Sequence, residues 1–89
     1  MILPQLIITR TGAVNMPTWL VELEVGATGE REVLGTVALT LSNDPTRRTT
    51  ILTARDPDDH LVAAGDKSVT SLESLARQLL AFATTVVNR

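Results

Sequence analysis

Cysteine is absent from this 89-residue chain. That removes disulfide staples, thiolate nucleophiles and cysteine-ligated zinc together. Tyrosine is also absent, and one Trp and one Phe make up the aromatic complement. A core must therefore come from Leu, Ile, Val and Ala, and no aromatic platform for base stacking stands out. Lysine occurs once, at Lys67, against seven arginines. Arginine suits fixed carboxylate or phosphate contacts better than lysine does, but a general codon bias toward Arg explains the ratio more simply. Ten acidic residues against eight basic ones give a net charge of −2, far from the positive balance of a dedicated nucleic-acid binder. No apolar run is long enough to span a membrane. The opening segment, MILPQLIITR, has no basic n-region and carries Pro4, Gln5 and Arg10, unlike a secretory leader. The expectation is a cytoplasmic protein with no membrane partner.

What remains is aliphatic. The hydrophobic share is 44% and the mean hydropathy +0.17, high for a chain this small, which has much surface to solvate. Length alone points to a single domain, 1–89. Up to the last third, the chain reads as strand-like runs broken by turn residues. The first is Gln5–Thr11, closed by Gly12. The second, Thr18–Val25, alternates Trp19, Val21, Leu23 and Val25 with Leu20, Glu22 and Glu24. Gly26-Ala27-Thr28-Gly29 turns it back. The third spans about Arg31–Ser42, with Val33, Val37, Leu39 and Leu41 on one side and Leu34, Thr36, Ala38 and Thr40 on the other. Gly35 within it marks a bulge or a close approach by the helix. Asn43-Asp44-Pro45 is a turn signal. A fourth run, Arg47–Arg55, is rich in Thr and Ile, which fit a pleated surface. His60–Ala64 is either a short fifth strand or an extended lead into a helix. The short connections favour antiparallel pairing of successive runs.

The last third reads as one helix, residues 70–88. Thr70 and Glu73 have the spacing of a capping box. Leu72, Leu75, Ala76, Leu79, Leu80, Phe82, Ala83, Val86 and Val87 form one apolar arc, opposite Glu73, Ser74, Arg77, Gln78, Thr84, Thr85 and Asn88. Glu73 and Arg77 stand in the favourable order for an ion pair. The expected fold class is α+β: two layers, an antiparallel sheet of three to five strands packed on one C-terminal helix. This architecture is similar to that of small bacterial antitoxin-like modules, phage-encoded inhibitors of host defence complexes and small viral coat subunits. The likeness is one of architecture and no motif selects among them.

One helix covers one sheet face. The face toward it is expected to hold Trp19, Val21, Leu23, Val25, Val33, Val37, Leu39 and Leu41. The outer face then shows Leu20, Leu34, Ala38, Ile7 and Ile51 among Thr9, Thr36, Thr40, Thr49, Thr53, Glu22 and Glu24. A one-residue slip in the first or fourth run would exchange its faces. Large aliphatics aligned on adjacent strands mark an interface, although a threonine-rich face also tolerates a few in a monomer.

Sites for chemistry are sparse. His60 with Asp56, Asp58, Asp59 and Asp66 has ligand chemistry for a cation, but the calcium-loop pattern is not met and a solvated acidic loop accounts for it. Ser68, Thr70, Ser71 and Ser74 cluster at the helix start, where capping accounts for them. Gly26 to Gly29 joins two strands and lacks the helix and lysine of a phosphate cradle. No catalytic, cofactor-binding or metal-binding residue is assigned, and no cofactor is expected. The expected function is a non-enzymatic protein-interaction module, regulatory or inhibitory, acting as a homodimer and meeting a partner through the outer face or an exposed edge strand. The contact residues expected are Leu20, Leu34, Thr36, Thr40 and Ile51, with Arg47, Arg48 and Arg55 for carboxylate or phosphate. The alternative is nucleic-acid or nucleoprotein binding by an Arg/Thr-rich sheet surface.

Overall fold

The computed structural model describes residues 4–26, 29–41 and 50–87, with Val86 and Val87 described by backbone alone. Alternation builds five strands: β1 (Gln5–Thr11), β2 (Thr18–Val25), β3 (Glu30–Leu41), β4 (Thr50–Arg55) and β5 (Leu61–Asp66). They pair in chain order β1-β2-β3-β4-β5, every pair antiparallel. One helix, α1 (Leu72–Val87), packs chiefly on β3, β4 and β5 and more lightly on β2. The fold is α+β, with a C-terminal helix on an antiparallel sheet. The expected turn at Asn43-Asp44-Pro45 and residues Arg47–Thr49 of the fourth run lie outside the described residues.

The core sits between α1 and the central strands. Val21, Leu34, Val37, Leu52 and Ala54 from the sheet meet Leu75, Ala76 and Leu79 from the helix, all buried. Each large aliphatic buried there is worth about 1.5–3 kcal/mol. Trp19, Leu23, Leu39, Leu6 and Ile8 pack around this centre half-buried. The first and fourth strands have the expected phase, with Ile7 and Ile51 on the side away from the helix.

The third strand does not keep one phase. Its register with β2 runs Val21↔Gly35 and then Glu22↔Val33, so Leu34 is an extra residue with no partner. This bulge inverts the faces of the strand's first half. Leu34, expected on the outer face, is 3% exposed in the core, whereas Val33, expected inside, is 45% exposed on the outer face. Gly35 makes the bulge possible. Its φ is +149°, and a Cβ there would overlap the Arg55 carbonyl oxygen and stand 3.1 Å from Leu79 Cδ2. The expected bulge and the expected close approach occur at the same residue. A second bulge leaves Val62 unpaired between Ala54↔Ala63 and Arg55↔Leu61, and Val62 packs against the core. Leu41, also expected inside, is 76% exposed at the end of β3.

The helix cap differs from its expectation by one residue. Ser71 Oγ accepts the Ser74 N–H at 3.0 Å, so Ser71 is the N-cap. Thr70 is held by the preceding turn instead: its N–H donates to the Asp66 carbonyl at 2.8 Å, and its side chain lies against Gly65 where no Cβ fits. Glu73 makes the expected pair with Arg77, at 2.6 Å, worth about 0.3–0.5 kcal/mol on an exposed helix.

The bulge assigns unequal roles to neighbouring residues. Leu34→Ala is expected to cost about 2–5 kcal/mol and to lower the melting temperature by roughly 10 °C or more. Val33→Ala is expected to cost less than about 1 kcal/mol. Thermal denaturation of the two variants followed by circular dichroism reads the difference.

Candidate functional site

The sheet face opposite α1 is set by the register. Thr9, Leu20, Thr36, Arg55 and Leu61 form one row across all five strands, each paired with the next. Thr11, Thr18, Ala38, Thr53 and Ala64 form the adjacent row. Thr40, Ile51 and Asp66 extend the face at one end, and Ile7, Glu22 and Val33 at the other. In its two central rows Arg55 is the one charged residue. Leu20, Thr36, Ala38, Ile51 and Thr53 are half-buried by their cross-strand neighbours, and Leu61 is 58% exposed.

Some of the polar capacity of this face is used within the sheet. Thr40 Oγ1 donates to the Ile51 carbonyl and Thr53 Oγ1 to the Ala38 carbonyl, both at 3.4 Å. Apart from Arg55, the charges of this face gather at the rim. Arg31 lies 3.7 Å from Glu22 and 3.4 Å from Glu24. Arg55 donates to the Asp59 carbonyl at 3.0 Å and stands 3.9 Å from its carboxylate. A centre with one charge, Arg55, inside a more charged rim matches the depletion of charge at the core of protein interfaces.

Of the expected contact residues, the fold brings Leu20, Thr36, Thr40, Ile51 and Arg55 onto this one face. Leu20 is paired with Thr36, Thr36 with Arg55, and Thr40 with Ile51. Leu34 is removed from the set because the β3 bulge turns it into the core. Arg47 and Arg48 lie outside the described residues. Val33, Leu61 and Ala64 join the face without having been anticipated. Gly35 was the available signal for Val33, since a bulge there reverses the residues before it. The Val62 bulge has no comparable mark in the sequence.

The opposite face is incompletely covered, because α1 lies toward β3–β5. Beside it, Pro4, Leu6 and Leu23 from the β1 side and Leu80 and Thr84 from the helix line an open groove of about 770 Å³, with Glu73 and Arg77 along the helix wall. Among the described residues, no helix is long and apolar enough to cross a membrane.

Asp56, Asp58 and His60 bring potential metal-ligand atoms within 4.8 Å of one another. The local hydrogen bonds account for this cluster. Asp56 Oδ1 accepts the N–H groups of Asp58 at 3.0 Å and His60 at 2.8 Å, closing the β4–β5 turn in which Asp59 takes φ 67°. The His60 N–H holds the Asp56 carboxyl below its ordinary range, with smaller help from the imidazole and the Asp58 N–H and some opposition from desolvation. Asp66 is likewise lowered, by the Ser68 N–H at 2.9 Å and hydroxyl at 2.8 Å, again against partial desolvation. Both carboxylates are stabilised in the folded state. Their contribution is present above the ordinary carboxylate range and is lost as pH falls through the lowered folded values. Melting temperature is therefore expected to fall on acidification below pH about 4. Asp56→Asn combined with Asp66→Asn is expected to lower the neutral-pH melting temperature and flatten that fall, as read by thermal denaturation across pH. Compared with protein-family models, with curated proteins and with solved structures, the chain matches none.

Proposed function

We propose that this chain is a non-enzymatic protein-interaction module, regulatory or inhibitory in role, that self-associates and presents the outer sheet face to a protein partner. The observation that supports this reading is the pair of central rows, five strands wide, with Arg55 their one charge. A sheet face in water ordinarily alternates toward charged residues. This one instead carries Leu20, Ala38, Leu61 and Ala64 among threonines, with ion pairs at the margin.

Nucleic-acid binding is the weaker reading. Arg55, the basic side chain nearest the centre, is engaged by Asp59. Glu22, Glu24 and Asp66 border the same face and would repel phosphates.

The test is partner capture that depends on the face. Thr36→Glu and Leu61→Glu both place a carboxylate next to Arg55 and are expected to leave the fold intact. Tagged wild-type chain and the double variant are used to capture proteins from a lysate of the source organism. The expected result is a protein retained in fixed proportion by the wild type and reduced at least tenfold by the variant, at equal melting temperatures. Equal retention by both would remove the outer face from the proposal.

A further inference from the structure

Resting on the interaction reading, the geometry points to β1 as the self-association edge. We propose that two copies join β1 to β1, antiparallel, about a two-fold axis through Ile8, to form one ten-stranded sheet. Among the described residues, no strand pairs with the outer side of β1. Among the same residues, its outward row of backbone donors and acceptors has no strand partner, the arrangement to which another strand adds.

The two edges of the sheet are not alike. Edge strands are commonly protected by charge, proline, bulges or cover from another element. β5 has such protection: the Val62 bulge interrupts its register, Thr70 lies against Gly65, and α1 packs on it. β1 has little. Its register with β2 runs without a break from Gln5 to Thr11, it contains no proline, and Arg10 is its one charge. Leu6, Ile7, Ile8 and Thr9 give it a flat stretch of aliphatic and β-branched residues of the kind that pairs well.

The sequence of β1 also selects its own register. A two-fold axis normal to the sheet keeps each side chain on its face, so opposed residues must have numbers of the same parity. The axis must then pass through a residue. Only Ile8 as centre pairs all seven residues. Gln5 meets Thr11 of the second copy, Leu6 meets Arg10, Ile7 meets Thr9 and Ile8 meets Ile8. This register sets the charged Arg10 against Leu6, whereas an axis through Arg10 would oppose two like charges. It also places the Arg10 stem beside Leu6, at the open side of the groove that α1 leaves over β1 and β2. Seven residues per copy form a small interface, so micromolar affinity is expected. The two outer faces would become continuous, giving the module one doubled surface and a means of avidity toward a repeated or two-fold partner.

The absence of cysteine makes the test direct. Across an antiparallel pair, directly opposed Cα atoms lie about 4.5–5.5 Å apart, within disulfide range. Ile8→Cys is therefore expected to form a disulfide-linked dimer rapidly under mild oxidation at about 100 µM. Ile7→Cys, Thr9→Cys and Leu61→Cys, oxidised alike, are expected to link at least tenfold more slowly. Light scattering of the unmodified chain is expected to show dimer mass rising with concentration. A monomer up to about 1 mM, or Leu61→Cys linking as fast as Ile8→Cys, would overturn the β1 pairing. Either result leaves partner capture by the outer face standing, so failure of the edge and failure of the face are read separately.

Discussion

At Gly35 the sheet backbone, the neighbouring strand and the helix meet with no space for a side chain. A Cβ there would overlap the Arg55 carbonyl oxygen and press on Leu79. Only glycine combines a φ of +149° with that contact. The bulge that results lets Leu34 enter the core and turns Val33 out. At this position β3 lies close to α1, with Leu79 against Gly35, and Leu75 and Leu79 are both buried. The two-layer packing and the composition of both faces thus depend on one position where a side chain is excluded.

The cover that α1 gives the sheet is uneven. α1 is drawn over β3, β4 and β5, where the buried residues concentrate, and Leu6, Ile8, Trp19 and Leu23 pack half-buried at the margin. Small domains have little spare surface with which to hide an exposed edge. The covered edge, β5, is the one carrying a bulge and a glycine, whereas β1 is continuous and aliphatic. The molecule therefore has two unmatched features, the outer rows with Arg55 as their one charge and the β1 edge. Both are the features on which the proposed interaction role rests. The carboxylates of Asp56 and Asp66 are consumed in closing turns.

Most of the architecture was legible in the sequence because local and global signals agree. Thr18–Val25 alternates with period two and is β2 with the same ends. The capped apolar arc of the last third is α1. Misplacement occurred where one residue changes a count. The period-two reading of the third run carried Val33 inward and Leu34 outward, because an inserted residue leaves hydrophobicity unchanged while inverting direction. The cap moved from Thr70 to Ser71 because the turn that precedes the helix engages the threonine, its N–H on the Asp66 carbonyl and its side chain against Gly65. On the outer face, Leu20, Thr36 and Thr40 follow from alternation, as do Ile51 and Arg55 once the phase of the fourth run is set. Val33 and Leu61 were not, since both depend on bulges.

The direction in which β3 sends two adjacent side chains decides the makeup of both sheet faces. The most direct measurement is methyl NOE spectroscopy on chain labelled at Leu and Val. Strong cross-peaks from the Leu34 methyls to Leu75 or Leu79 in α1, and none from Val33 to either, are predicted. Cross-peaks from Val33 to the helix leucines, with Leu34 methyls accessible to a soluble paramagnetic agent, would contradict the bulge and with it the assignment of both faces.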